Sequence, residues 1–305
     1  MKKLSDDGSL GHEGALVAAA TSSPASLARS SIVTLFWGLL LSSTILRGQT
    51  ATILFTGSAN GVIQNCYCPD ARLGGLEKRA QFIATYRAQH PDVLVLDNGD
   101  NFIEYLTPGF ADVVTAAMQL MQVDVINLGD QDIAYGDQAY FELGAVVPEL
   151  GRAVTINRGA AHFSILPVLS ASATKFYPEF VFADLDLDGL NAQILAWLAA
   201  ELPEKAYRIL LSHSGLEADK ALARSYPGID LIVGGHSQTV LDTPVVVNGV
   251  HIVQAGGYAG YVGEIRLDAG PDGLVISGYE LHPLTQALPD HPAVMKLIDQ
   301  FTVSH

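Results

Sequence analysis

The sequence predicts one layered α/β domain, and three observations carry that prediction. Apolar strands alternate with stretches of helical periodicity through residues 51–285, an order that builds mixed layers. Several strands are nearly continuous apolar runs, as at residues 93–96, 208–212 and 230–233, which suits parallel strands covered on both faces. Four such runs end on a residue of metal-ligand type: Asp100 after VLVLDNG, Asp130 after DVINLG, His213 after RILLS and His236 after IDLIVGG. In open α/β sheets ligands gather at the carboxyl ends of strands, and the Gly-Gly before His236 marks a place where backbone comes close to something.

Taken in order, residues 51–55 read as a strand and 56–76 as a long irregular loop, TGSANGVIQNCYCPDARLGGL. A loop of that length in a compact domain usually has a function. Residues 77–90 carry helical spacing behind Gly74-Gly75, and Gly75 is a candidate anion contact because free N–H groups open a helix there. A strand at 93–96, a helix at 111–121, a strand at 123–128 and a helix around 139–143 follow.

Residues 151–187 read as several strands (AVTIN, FSILPVL, FVFADLDL), and 190–202 as a helix. Asp184, Asp186, Asp188 and Gly189 open like a calcium loop, but the twelfth position is Leu195 instead of the required Glu, so a strand edge leading into a helix is the better reading. Strand 208–212, helix 217–225 and strand 230–233 come next. Short hairpin-like strands then fall at 245–247, 251–254, 262–267 and 274–277, with Asn248-Gly249 as a turn. The chain closes with a linker and helix over 286–305.

The 305 residues are 49% hydrophobic and 16% charged, a balance that excludes disorder over most of the length. A net charge of −15 argues against nucleic acid and anionic membrane surfaces as partners. An acidic protein that takes a small anionic substrate needs a local cation, and a divalent metal supplies one.

Residues 32–46, IVTLFWGLLLSSTIL, contain an apolar heart of about ten residues preceded by Arg29, right for the core of a signal peptide and short for a span. Residues 1–50 are therefore expected to be a leader, with 51–285 as the domain. The alternative is an uncleaved anchor, which would be the only membrane attachment. Both place the domain outside the cytoplasm, exported or periplasmic. The two cysteines are spaced Cys66-Tyr67-Cys68. Such a pair is a strained reducible disulfide, a thiolate ligand pair, a tethering site or an inert buried pair.

Several strings resemble the catalytic domain of the periplasmic 5′-nucleotidases, within the calcineurin-like metallophosphoesterases. These are ILLSHSGLEADKALARSYPGIDLIVGGHSQT, PVVVNGVHIVQAGGYAGYVGEIRL, ILFTGSANG, VLDNGDNF and NLGDQDIAYG, spanning about residues 52–268. The resemblance implies a four-layer α/β/β/α sandwich, a site for one or two divalent metals (Mn, Zn or Fe), and attack of a bridging hydroxide on a phosphate ester. It implies Asp100, Asp130, His213 and His236 as ligands of one metal, with Asp130 standing where that family usually has Asn. Gln238 and Asp100 remain for the other metal, because the family's Asp-x-His is replaced by Ser58-Ala59-Asn60. The family's catalytic His-Asp pair falls on Gln131 and Ala134. Asn60, Gly75 and Asn101 are the candidate substrate contacts.

The loop SANG…NCYCPD…LGGLEKR also resembles a nucleotidase-like branch found beside multihaem cytochromes and sometimes carrying selenocysteine. That resemblance implies Cys66 and Cys68 as catalytic groups and a multihaem cytochrome or other redox partner. Three functions stay open on the sequence. One is a metal-dependent hydrolase with an altered first site, in which the Cys66 and Cys68 thiolates could stand in for lost ligands. The second is a thiol or redox protein on the same scaffold. The third is a non-catalytic binding descendant.

Overall fold

A computed structural model describes residues 51–65, 73–103, 108–136, 138–141, 143, 146–203, 206–270 and 273–304. Residues 1–50, expected to be a leader, and Cys66 and Cys68 lie outside the described residues.

Two sheets face each other. The first has the order β11-β10-β1-β2-β3, formed by β1 (Ala51–Thr56), β2 (Leu94–Asp97), β3 (Val125–Ile126), β10 (Tyr261–Gly270) and β11 (Gly273–Pro283). The second has the order β4-β5-β6-β7-β9-β8, from β4 (Val154–Arg158), β5 (Ala161–Leu169), β6 (Tyr207–His213), β7 (Leu231–Gly234), β8 (Val245–Val247) and β9 (Val250–Val253). Strands β1, β2 and β3 run parallel, as do β5, β6, β7 and β9.

The apolar runs are explained by burial on both faces. Along β1 and β2, Ile53, Phe55, Leu94 and Leu96 point into the core between the sheets. Leu54 and Val95 point the other way, toward α1 (Leu76–Gln89), α2 (Phe110–Met121) and α7 (Pro292–Ser304). On the far side Leu210 and Ile232 pack against α5 (Leu190–Ala199) and α6 (Leu216–Ser225), while Ile209, Leu211, Leu231 and Val233 face the inter-sheet core. The result is the expected four-layer α/β/β/α sandwich. The period of α2 is clear in Phe110, Val113, Val114, Ala117, Met118 and Met121, all buried, which form one helical stripe. Helix α7 sinks Val294 and Ile298 into the same layer.

Three expectations change. The string FVFADLDL is no strand: residues Glu179–Phe182 form a 3₁₀ turn. Leu185 N–H donates back to the Phe182 carbonyl, and Asp186 Oδ1 accepts from Gly189 N–H at 2.9 Å. The acidic run therefore closes its own turn, and Phe182 packs with Leu169 and Ala173. Strand β3 shrinks to two residues: Asn127 keeps a backbone bond from its N–H to the Asp97 carbonyl at 2.8 Å but turns its side chain to the second sheet. A short helix, α3 (Asp130–Tyr135), follows it, too brief to show an apolar period. Helix α4 (Gln138–Phe141) comes next.

The two sheets are tied at one end by a pair of buried asparagines. Asn98, just past β2, donates from Nδ2 to the carbonyls of Ser212 (2.8 Å) and Val233 (2.9 Å). Asn127, just past β3, donates to the carbonyls of Val168 (3.0 Å) and Leu211 (2.9 Å) and to Asn98 Oδ1 (3.0 Å). The two side-chain amides are thus satisfied by strand carbonyls across the layers.

Candidate metal centre

The same end of the sandwich collects the four candidate ligands. Asp100 sits on the turn after β2, Asp130 opens α3, His213 ends β6 and His236 lies two residues past β7. Their ligand atoms all fall within 4.8 Å of one another. His213 Nε2 is 3.1 Å from Asp100 Oδ2 and 3.1 Å from Asp130 Oδ1, and His236 Nδ1 is 2.9 Å from Asp130 Oδ1. The first three residues are buried and His236 is half-buried.

Such convergence needs unusual backbone. Five residues here, Ser58, Asn60, Asp100, His236 and Gln238, have positive φ between 43° and 66°. Each is a strained conformation that persists where the surroundings enforce it, as at ligand sites. Two glycines give the needed room. A Cβ on Gly129 would lie 2.6 Å from the Asp100 nitrogen, and one on Gly235 would lie 2.8 Å from Asn98 Nδ2. The Gly-Gly before His236 is thus required by a close approach.

Hydrogen bonds prepare the donors. His213 Nδ1–H donates to the Asn98 carbonyl at 2.7 Å, which in the neutral ring leaves Nε2 as the lone pair a metal would take. Buried Nε2 lies between two carboxylate oxygens and makes no aligned hydrogen bond to either. Asp130 Oδ2 accepts from the Tyr177 hydroxyl at 2.8 Å, turning Oδ1 toward the histidines. Burial opposes charge on Asp130, but the neighbouring His213 and His236 outweigh it and hold the carboxyl well below its usual range. Burial likewise opposes charge on His213, and the Asp100 carboxylate outweighs that, raising its pKa well above 6.5. Two carboxylates, two imidazoles and an orphaned buried nitrogen make a donor set that fits a divalent cation such as Mn, Zn or Fe.

The surroundings of Asp100 are held by neutral amides. Gln131 N–H donates to Asp100 Oδ1 at 3.0 Å, and Gln131 Nε2 donates to Asn60 Oδ1 at 3.0 Å while reaching Asp100 Oδ2 at 3.4 Å. Asn60 Nδ2 and Ser58 Oγ are buried without hydrogen-bond partners among the described residues. Gln238 lies two residues past His236, and a Cβ on Gly257 would meet its Oε1 at 2.7 Å.

Two candidate substrate contacts, Gly75 and Asn101, have neighbours inside the protein. At Gly75 the helix start is already taken by the chain's own carboxylate. Glu77 is buried, accepts from Asn65 N–H at 2.9 Å and caps its own backbone, while Leu76 N–H goes to the Ile63 carbonyl. Asn101 faces inward, donating from Nδ2 to Asp97 Oδ1 (2.7 Å) and Tyr140 Oη (2.9 Å) and accepting from Arg79. Glu77 thus occupies the space beside Gly75, and the Asn101 side chain is spent within the protein.

Sequence reasoning missed the supports. Asp132 is fully buried and accepts from the N–H groups of Gly129, Asp100 and Asn101. Burial and the Asp100 charge push its carboxyl up to about 7. Its signal was the acidic residue at the third helical position, which reaches back to the backbone N–H before the helix. Arg79 and Asp97 form a fully buried pair at 3.2 Å beneath the turn, and Arg79 also holds the Gly57 carbonyl. Elsewhere Glu264, Glu280 and His282 cluster on β10 and β11, but Glu264 is engaged by Arg266 and His282, as an ordinary ion-pair group is.

Superposition on solved structures decides the fold. A 5′-nucleotidase precursor from Thermus thermophilus matches with a TM-score of 0.65 at 20% identity, over 84% of this chain and 59% of that one. The fold is that of the metallophosphoesterases. A calcineurin-like phosphoesterase, YfkN from Bacillus subtilis, shares this metallophosphoesterase fold with a TM-score of 0.63 at 17% identity, over 85% of this chain and 98% of that one. In sequence the chain is 24% identical to the human 5′-nucleotidase across 83% of its own length and 52% of the relative's. It spans about half the length of the curated 5′-nucleotidases it first matches. No protein-family model matches it. Among the described residues, no helix is long and apolar enough to cross a membrane.

Proposed function

We propose that this chain is an exported, metal-dependent hydrolase of small phosphate esters or related oxyanions. One divalent cation would be held by Asp100, Asp130, His213 and His236, with Gln238 beside them. The observation that carries this reading is the convergence of Asp100, Asp130, His213 and His236, whose ligand atoms lie within 4.8 Å of one another, with buried His213 Nε2 set 3.1 Å from a carboxylate oxygen on either side. A divalent cation at this place supplies Lewis-acid polarisation of a phosphoryl oxygen and lowers the pKa of water.

The chain's own residues do the rest. Asn98 fixes the His213 tautomer and Tyr177 fixes the Asp130 carboxylate. Gln131 and Asn60 orient Asp100 and each other. None of these amides gives up a proton at neutral pH, so the leaving group departs without a general acid. Substrates with acidic leaving groups, such as aryl phosphates, are favoured.

The test is hydrolysis of p-nitrophenyl phosphate by the full chain with Mn²⁺, Zn²⁺ or Fe²⁺, beside a His213→Ala control. Turnover no higher than the control in all three metals overturns the reading. The string Cys66-Tyr67-Cys68 supports a second reading, a thiol protein serving a redox partner such as a multihaem cytochrome. Cysteines inert to thiol titration before and after mild reduction would eliminate it.

A further inference from the structure

We infer that the turn at residues 58–60 is an oxyanion-binding element, in which Ser58 Oγ and Asn60 Nδ2 hold an oxygen of a tetrahedral anion such as phosphate beside a single cation. The inference rests on the hydrolase reading above and deepens it.

The turn is built at a cost. Ser58 and Asn60 have φ of 43° and 48°, and both are buried. Their backbone N–H groups are strapped to the carbonyls of Gly99 (2.7 Å) and Asp100 (2.8 Å). Their side chains nevertheless end in two buried atoms without a hydrogen bond. A buried unsatisfied donor is destabilising unless something completes it.

The polarity of these atoms selects the partner. Asn60 Oδ1 accepts from Gln131 Nε2 at 3.0 Å, so the amide is oriented with its NH₂ as the free end. An amide NH₂ repels a cation and binds an anion. The path from this amide to the cation is short: Gln131 Nε2 is 3.4 Å from Asp100 Oδ2, which is 3.1 Å from His213 Nε2. Neutral donors therefore stand where the resemblance places the ligands of another metal, and they take over its task of steadying negative charge.

The experiment titrates inorganic phosphate into the full chain loaded with Mn²⁺, by calorimetry, with metal content measured alongside. The proteins are wild type, Ser58→Ala and Asn60→Asp. Asn60→Asp keeps the oxygen that Gln131 needs, and thermal melting confirms the fold. The expected result is one Mn²⁺ per chain in the wild type, with phosphate affinity reduced about tenfold or more in Asn60→Asp and about threefold to tenfold in Ser58→Ala. Unchanged phosphate affinity in both variants, with Mn²⁺ bound, overturns this inference and leaves the hydrolase standing. Two Mn²⁺ per wild-type chain overturns it by giving the turn to a cation. A wild type that binds none of Mn²⁺, Zn²⁺ and Fe²⁺ overturns the hydrolase reading, and this inference with it.

Discussion

His213 hands its Nδ1 proton to the carbonyl of Asn98 across 2.7 Å, so a residue of the first sheet sets which nitrogen the second sheet can offer a metal. The side chain of Asn98 meanwhile holds the carbonyls of Ser212 and Val233, the strand that carries His213 and the strand that leads to His236. Ligand geometry and sheet packing are therefore the same set of bonds.

His213→Ala should remove both the central donor and the ring that Asn98 orients. We expect divalent-cation affinity to fall at least about 100-fold and aryl phosphate hydrolysis to drop to background. Calorimetric titration with Mn²⁺ or Zn²⁺ checks the first and a chromogenic assay the second.

Tyr177→Phe deletes only the hydroxyl that fixes Asp130 Oδ2 at 2.8 Å. Metal affinity should weaken about 10-fold, the usual effect of losing a bond behind a ligand. Unfolding free energy should change by only about 1 kcal/mol. A variant that loses stability without losing metal affinity contradicts this role.

Asn127→Ala leaves the Val168 and Leu211 carbonyls and Asn98 Oδ1 without their donor. A loss of about 2–4 kcal/mol is expected in urea unfolding, since several buried acceptors go unsatisfied at once.

Arg79→Met strands the Asp97 carboxylate in a fully buried place. The expected loss is about 3–5 kcal/mol, and adding Asp97→Asn should recover most of it, because removing the unpaired charge costs less than keeping it.

The carboxyl of Asp219 is fully buried, and burial pushes it up to about 7, against the Ser212 hydroxyl that pulls it down. The unfolded chain ionises this group near its ordinary 3.8. The native protein therefore keeps a proton that the unfolded chain has released. Its contribution to stability is full below about pH 4 and is lost as pH rises through about 7. In the metal-free protein, wild type should lose roughly 2–4 kcal/mol relative to Asp219→Asn between pH 4 and pH 8, read from denaturant midpoints at each pH.

The parallel strands and the convergence of Asp100, Asp130, His213 and His236 were legible because doubly buried strands write continuous apolar runs, and an Asp or His past such a run has few places to go. The turn at residues 179–187 was not. Its alternating Phe180, Phe182, Leu185 and Leu187 imitate a strand, yet Asp186 spends its carboxylate on Gly189 N–H. The neighbours of Gly75 and Asn101 were hidden for a related reason. Residue type shows what a group can bind, while Glu77, Asp97 and Tyr140 decide that its partners are already inside the protein. The buried supports, Arg79 with Asp97 and Asp132 beneath Asp100, lay 18 and 32 residues apart in the chain, and no local pattern links them.

The first sheet lends Asp100 and Asp130 to the centre and the second lends His213 and His236, so an ion there would sit astride the seam of the sandwich. Holding it would rivet the two halves together; withdrawing it would free them at their most tightly sutured edge. Melting temperature then becomes a gauge of occupancy, rising with the logarithm of free ion over its dissociation constant. A panel of divalent cations ranked by thermal shift would name the preferred metal before any substrate had been tried.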